Sequence, residues 1–89
     1  MLLEGKIAIV TGASRGIGKE IAKSFIAQGA TVAFTYISSP EEANAVKEEL
    51  TAKGGTAKGF KSDAAKFDDA ENLVKSVLEA FGTIDVVVN

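Results

Sequence analysis

Three glycines in the segment Gly12-Ala13-Ser14-Arg15-Gly16-Ile17-Gly18 stand where the hydrophobic period of the chain changes. Before them, residues 6–11 (K-I-A-I-V-T) form a short apolar run rich in β-branched side chains. Its length and composition predict a strand buried on both faces. After them, residues 16–28 repeat at helical spacing. Ile17, Ile21 and Phe25, with Ala22 and Ile26, make an apolar stripe, and Lys19, Glu20 and Lys23 fall on other faces. A buried strand that turns through glycine into an amphipathic helix is the opening of an α/β crossover, and few other folds accommodate it.

The alternation continues to the last residue. Gly29 stops the first helix, and residues 31–36 read as a second strand. Ser39-Pro40-Glu41-Glu42 is a helix start, with Ser as N-cap, Pro at the first helical position and Glu three residues after the cap. Ala43, Val46 and Leu50 are its apolar stripe, and Gly54-Gly55 ends it. Residues 56–61 predict a weaker strand, because Gly59 lies inside it. Asp68-Asp69-Ala70-Glu71 opens a third helix, its acids near the positive end of the dipole. Its stripe is Ala70, Leu73, Val74, Val77, Leu78 and Phe81, and Gly82 stops it before a fourth strand at 84–89. The order β-α-β-α-β-α-β implies a parallel sheet with right-handed crossovers. The expected strand order is 3-2-1-4, half of a doubly wound Rossmann fold, with residues 1–89 as one unit.

The first strand–helix junction is chemically pointed. A helix N-terminus presents N–H groups without intrahelical partners and a partial positive charge, so a phosphate can sit there without a basic side chain. Glycines allow the turn and the close approach of phosphate to backbone. The mononucleotide P-loop has four residues between its first Gly and a Gly-Lys-Ser/Thr. Here five residues separate Gly12 from Gly18-Lys19, and Glu20 follows, which has no hydroxyl for magnesium and repels a triphosphate. The common dinucleotide spacing G-x-G-x-x-G is also absent.

The spacing that is present, Thr11-Gly12-x-x-x-Gly16-x-Gly18, resembles that of the short-chain dehydrogenase/reductase family. So do Leu3-Glu4-Gly5-Lys6, Asp63 after the third strand, and Phe81-Gly82-x-Ile84-Asp85-x-x-Val88-Asn89, and the wording is nearest to bacterial 3-oxoacyl-[acyl-carrier-protein] reductases of fatty-acid synthesis. The resemblance implies an NADP(H)-binding part of a ketoreductase. It implies cofactor contacts from the loop residues Gly12, Gly16, Ile17 and Gly18, and from Ser14 and Arg15 at the 2′-phosphate. It further implies that Asp63 and Ala64 hold the adenine, and that Asn89 lies beside the cofactor ribose.

The residues also bear on the choice of cofactor. An NAD site ordinarily carries an acid near the end of the second strand, about 20 residues past the glycines. Phe34-Thr35-Tyr36-Ile37-Ser38 contains none, so nothing there repels a 2′-phosphate, and NADP(H) is favoured over NAD(H). Arg15 supplies a forked cation, and Ser14 and Ser38 supply hydroxyls. A lone Arg is ordinarily a solvated surface charge. Its place in the loop makes Arg15 a candidate. Asp63 also suits a helix-entry turn. Tyr36, near the expected adenosine half, also reads as an aromatic packing on the sheet.

Composition narrows the rest. The net charge of −2 provides no basic field for nucleic acid or an anionic membrane, and no apolar run is long enough for a bilayer. With no Cys and no His, disulfides, thiolate metal sites and His-based catalysis are excluded, and a cytoplasmic setting is expected. The pairs Glu41-Glu42, Glu48-Glu49 and Asp68-Asp69 read as solvated caps and faces. The family's Ser, Tyr-x-x-x-Lys and additional Asn find no match here, because Tyr36 is followed at the fourth position by Pro40. The resemblance places those residues beyond position 89, so the chain is expected to be inactive alone. An apolar fourth strand at a sheet edge predicts self-association through that strand. The alternative is a truncated folding or assembly module with little or no cofactor binding.

Overall fold

The computed structural model describes residues 2–13, 16–37, 39–63 and 66–88. Its elements are β1 (Ile7–Val10), α1 (Gly16–Ala27), β2 (Thr31–Tyr36), α2 (Pro40–Thr51), β3 (Thr56–Lys61), α3 (Phe67–Phe81) and β4 (Val86–Val88). The four strands form one parallel sheet in the order β3-β2-β1-β4, as the alternation predicts. Ile7 pairs with Thr31 and Ala8 with Val86, so β1 lies between β2 and β4.

All four residues of β1 are buried, which is why the run lacks polar alternation. The pleat divides the core in two. On one face Val10, Val32, Phe34 and Ala57 pack with Ala22 of α1 and with Ala43, Val46 and Leu50 of α2. On the other, Ile7, Ile9 and Ala33 pack with Val77 of α3, flanked by Leu73, Phe60 and Phe81. The Phe60 and Phe81 rings meet edge to face, centroids 6.5 Å apart. Gly59 does not interrupt the pairing of β3 with β2. It lies opposite Phe34, and a β-carbon there would come within 2.9 Å of two ring carbons. The glycine makes room for the largest fully buried side chain of the core.

The helix ends follow local chemistry. The Ser39 hydroxyl accepts from Glu42 N–H at 3.2 Å, with Pro40 beginning α2. At the end of α1, Gly29 N–H donates to Ile26 O and Ala30 N–H to Phe25 O, the paired bonds of a Schellman motif. Lys19 and Lys23 of α1 both pair with Glu49 of α2. Hydrogen bonding to Lys19, then to Lys23, holds the Glu49 carboxyl below its ordinary value. The group is exposed, so this pairing tethers the two helices only weakly.

Several local readings need correction. α2 ends at Thr51 with Ala52 as its cap, and Gly54 lies in the turn that follows. α3 begins at Phe67, behind Lys66 as an N-cap without a side-chain bond, rather than at Asp68. Of its apolar stripe only Val77 is fully buried. Leu73 and Phe81 are half-buried, and Ala70, Val74 and Leu78 are exposed. Ile17, placed in the α1 stripe, is 80% exposed. Periodicity marks an apolar stripe, but tertiary partners decide how much of it is covered. β4 is shorter than the apolar run from 84. Asp85 ahead of it is fastened to β1, donating N–H to Ile7 O and accepting Ile7 N–H on its carboxylate, 2.8 and 2.9 Å.

Candidate functional site

The loop after β1 turns on two glycines with positive φ, Gly12 at 69° and Gly16 at 64°. Other L residues reach this region at a cost of about 1–2 kcal/mol. Ala13 between them is fully buried, which anchors the loop to the core. Gly18 serves a different purpose. A β-carbon on it would overlap Gly12 O and approach Gly12 C to 2.8 Å and Ala13 N to 3.3 Å. The first turn of α1 therefore packs directly on the loop backbone. Thr11 pins the base of the loop to β4, its N–H donating to Val88 O at 3.0 Å and its hydroxyl to the same oxygen at 3.3 Å. The result is a helix N-terminus placed at the carboxyl end of the central strand, an arrangement that accepts an anion.

The ends of β2 and β3 lie along the same edge. Tyr36 closes β2, half-buried and packed against the core, so its sheet-packing role is realised. Ile37 beyond it is exposed. Ser62 extends the β2–β3 ladder by donating its N–H to Tyr36 O at 2.9 Å, and it is buried. Asp63 follows, half-buried, its N–H donating to Asp69 Oδ2 at 2.9 Å. Gly12, Tyr36 and Asp63 thus come from three adjacent strands to one rim, where ligands bind in open parallel sheets. Ser14, Arg15, Ser38, Ala64 and Asn89 lie outside the described residues. A cavity of about 760 Å³ opens at the opposite rim, against Ile26, Leu50, Lys53 and Gly55, and contains none of these candidate residues.

Three positioning groups escaped the sequence reading. Asp69, read as a solvated helix start, is half-buried and binds Asp63 across the loop. A carboxylate three residues past an N-cap, able to reach back, is the signal that pointed to it. The Thr11 hydroxyl and the Asp85 carboxylate act over 77 and 78 residues of sequence and leave no local signature. Among the described residues no helix is long and apolar enough to cross a membrane.

A family model described as short chain dehydrogenase matches residues 6–89. The chain is 44% identical to a 3-oxoacyl-[acyl-carrier-protein] reductase of Staphylococcus epidermidis, over 94% of this chain and 34% of that protein. It is 48% identical to an L-rhamnose 1-dehydrogenase (NAD(P)(+)) of Azotobacter vinelandii, over 100% of this chain and 36% of that protein. The crystal structure of a short chain dehydrogenase from Burkholderia cenocepacia in complex with NADP superposes with a TM-score of 0.90 at 47% identity, covering 100% of this chain and 36% of that one. The chain therefore spans about a third of the length of these relatives.

Proposed function

Because the chain belongs to the short chain dehydrogenase family, we propose that it forms the NADP(H)-binding part of a cytoplasmic ketoreductase resembling 3-oxoacyl-[acyl-carrier-protein] reductases. The observation that carries this reading is the packing of Gly18 on Gly12, which brings the start of α1 onto the loop backbone, with open space at Gly16 where a pyrophosphate would lie. The loop residues Gly12, Gly16, Ile17 and Gly18 cradle the phosphates, with Ser14, Arg15 and Ser38 at the 2′-phosphate. Tyr36 borders the adenosine, which Asp63 and Ala64 hold, and Asn89 lies by the ribose. The bound nicotinamide supplies hydride chemistry. The present residues bind and orient, and ketone reduction by the chain alone is not expected.

Titration with NADPH, followed by its fluorescence, tests the binding. Saturation below millimolar concentration is expected, and no saturable change there would favour an assembly module instead. Arg15→Ala should weaken NADPH by about tenfold, the scale of one charge-assisted contact, and NADH far less. Equal losses for the two would remove the 2′-phosphate assignment.

A second reading concerns assembly. Among the described residues no strand pairs with the outer edge of β4, Val87 is 59% exposed, and α3 exposes Val74 and Leu78 on the same sheet face. Such an edge is a template for another strand. We propose that β4 pairs with β4 of a second copy. Size-exclusion chromatography should give a dimer or larger species that Val87→Lys reduces to monomer. A folded monomer of the unaltered chain at high micromolar concentration would sink the idea.

A further inference from the structure

We propose that Asp69 is the positioning residue for Asp63, fixing the adenine end of the cofactor site without touching the ligand. The inference rests on the cofactor reading above and extends it to the α3 N-terminus. Three bonds gather on the turn from β3 to α3. Asp63 N–H donates to Asp69 Oδ2 at 2.9 Å, the Ser62 hydroxyl donates to Asp69 O at 3.4 Å, and Lys66 N–H donates to Asp63 O at 2.9 Å. Asp69 thus engages both residues that follow the third strand. Its carboxylate does not cap its own helix in the usual way. It turns back to the strand end, in a place where Lys66, the N-cap, contributes no side-chain bond.

The physical consequence is preorganisation. Asp63 stands on a loop, and a loop residue recognises an adenine edge well only if its backbone is held. The Asp69 carboxylate binds the Asp63 amide with a charge-assisted bond, and Ser62, buried on the β2–β3 ladder, secures the other side. The backbone of Asp63 is therefore held from α3.

The test compares three ligands: NADPH, 2′,5′-ADP, which keeps the adenosine half, and reduced nicotinamide mononucleotide, which lacks it. Asp69→Ala should weaken NADPH and 2′,5′-ADP by about tenfold and leave the mononucleotide unchanged, while Asp69→Asn, whose amide oxygen still accepts, should stay within about twofold. The Asp63 amide should exchange with solvent faster in the alanine variant and stay protected in the asparagine variant. If the alanine variant fails to fold, Asp69→Glu carries the test, because it keeps the charge and moves the oxygen by one methylene. It should weaken 2′,5′-ADP about fivefold, and unaltered affinity overturns the proposal. Equal losses for all three ligands would also overturn it, since that is what general damage produces. Absence of NADPH binding by the unaltered chain overturns the cofactor reading and this inference together. Normal binding that Asp69→Ala does not change overturns this inference alone.

Discussion

Gly18→Ala is expected to disable the site and destabilise the fold at once. The new methyl would press on Gly12 O, Gly12 C and Ala13 N, all backbone atoms that cannot rotate aside. Relief requires the start of α1 to lift from the loop, and overpacking of this kind costs about 1–3 kcal/mol. The lifted helix no longer aims its N–H groups at a phosphate, so NADPH affinity should fall by more than tenfold. Gly12→Ala makes the useful contrast. No atom lies within 4 Å of its added carbon, but its φ of 69° strains any side chain. It should cost about 1–2 kcal/mol through the backbone alone. Urea denaturation with parallel NADPH titration distinguishes the two. A Gly18→Ala protein with unaltered midpoint and affinity would refute the close packing of helix on loop.

Phe34→Ala is expected to give the largest loss of stability. Phe34 is 1% exposed, in the middle of the core shared by β1, β2, α1 and α2. Truncating a buried Phe removes roughly 3–5 kcal/mol. The value should lie toward the upper end, because one of its two cross-strand neighbours is Gly59, which, unlike Val10 on the other side, has no side chain to fill the space. Small domains hold about 5–15 kcal/mol in total, so this loss is a large share of it and the unfolding midpoint should fall steeply. Circular dichroism with urea titration measures it. A loss below about 1 kcal/mol would mean that the site collapses freely, contrary to the packing described.

The same position shows what the sequence could and could not disclose. Residues 7–10 declare themselves by an unbroken apolar run, residues 31–36 by β-branched and aromatic content around the buried 32–34, and Ala43, Val46 and Leu50 by helical period, since each pattern is local. Gly59 reads as a strand breaker, because its purpose lies on a neighbouring strand. Val74 and Leu78 read as core, because periodicity identifies an apolar stripe without its cover. The glycine turn is legible because the backbone demands of Gly12, Gly16 and Gly18 are local, whereas the bond from the Thr11 hydroxyl to β4 is not. Asp69 was misread for the opposite reason. Its partner lies six residues back, across a turn, and an acid at a helix start ordinarily faces water.

The double attachment of Asp85 to Ile7 bears on the order in which the sheet assembles. Pairing β1 with β2 joins Ile7 to Thr31, 24 residues away, whereas pairing it with β4 closes 78 residues. The longer closure costs about 1 kcal/mol more in chain entropy, and the three residues of β4 return little burial against it. A contact in which one residue engages both polar groups of its partner's peptide frame offsets that cost at the moment of joining. Asp85 therefore acts as a latch on the strand whose pairing closes the longest stretch of chain.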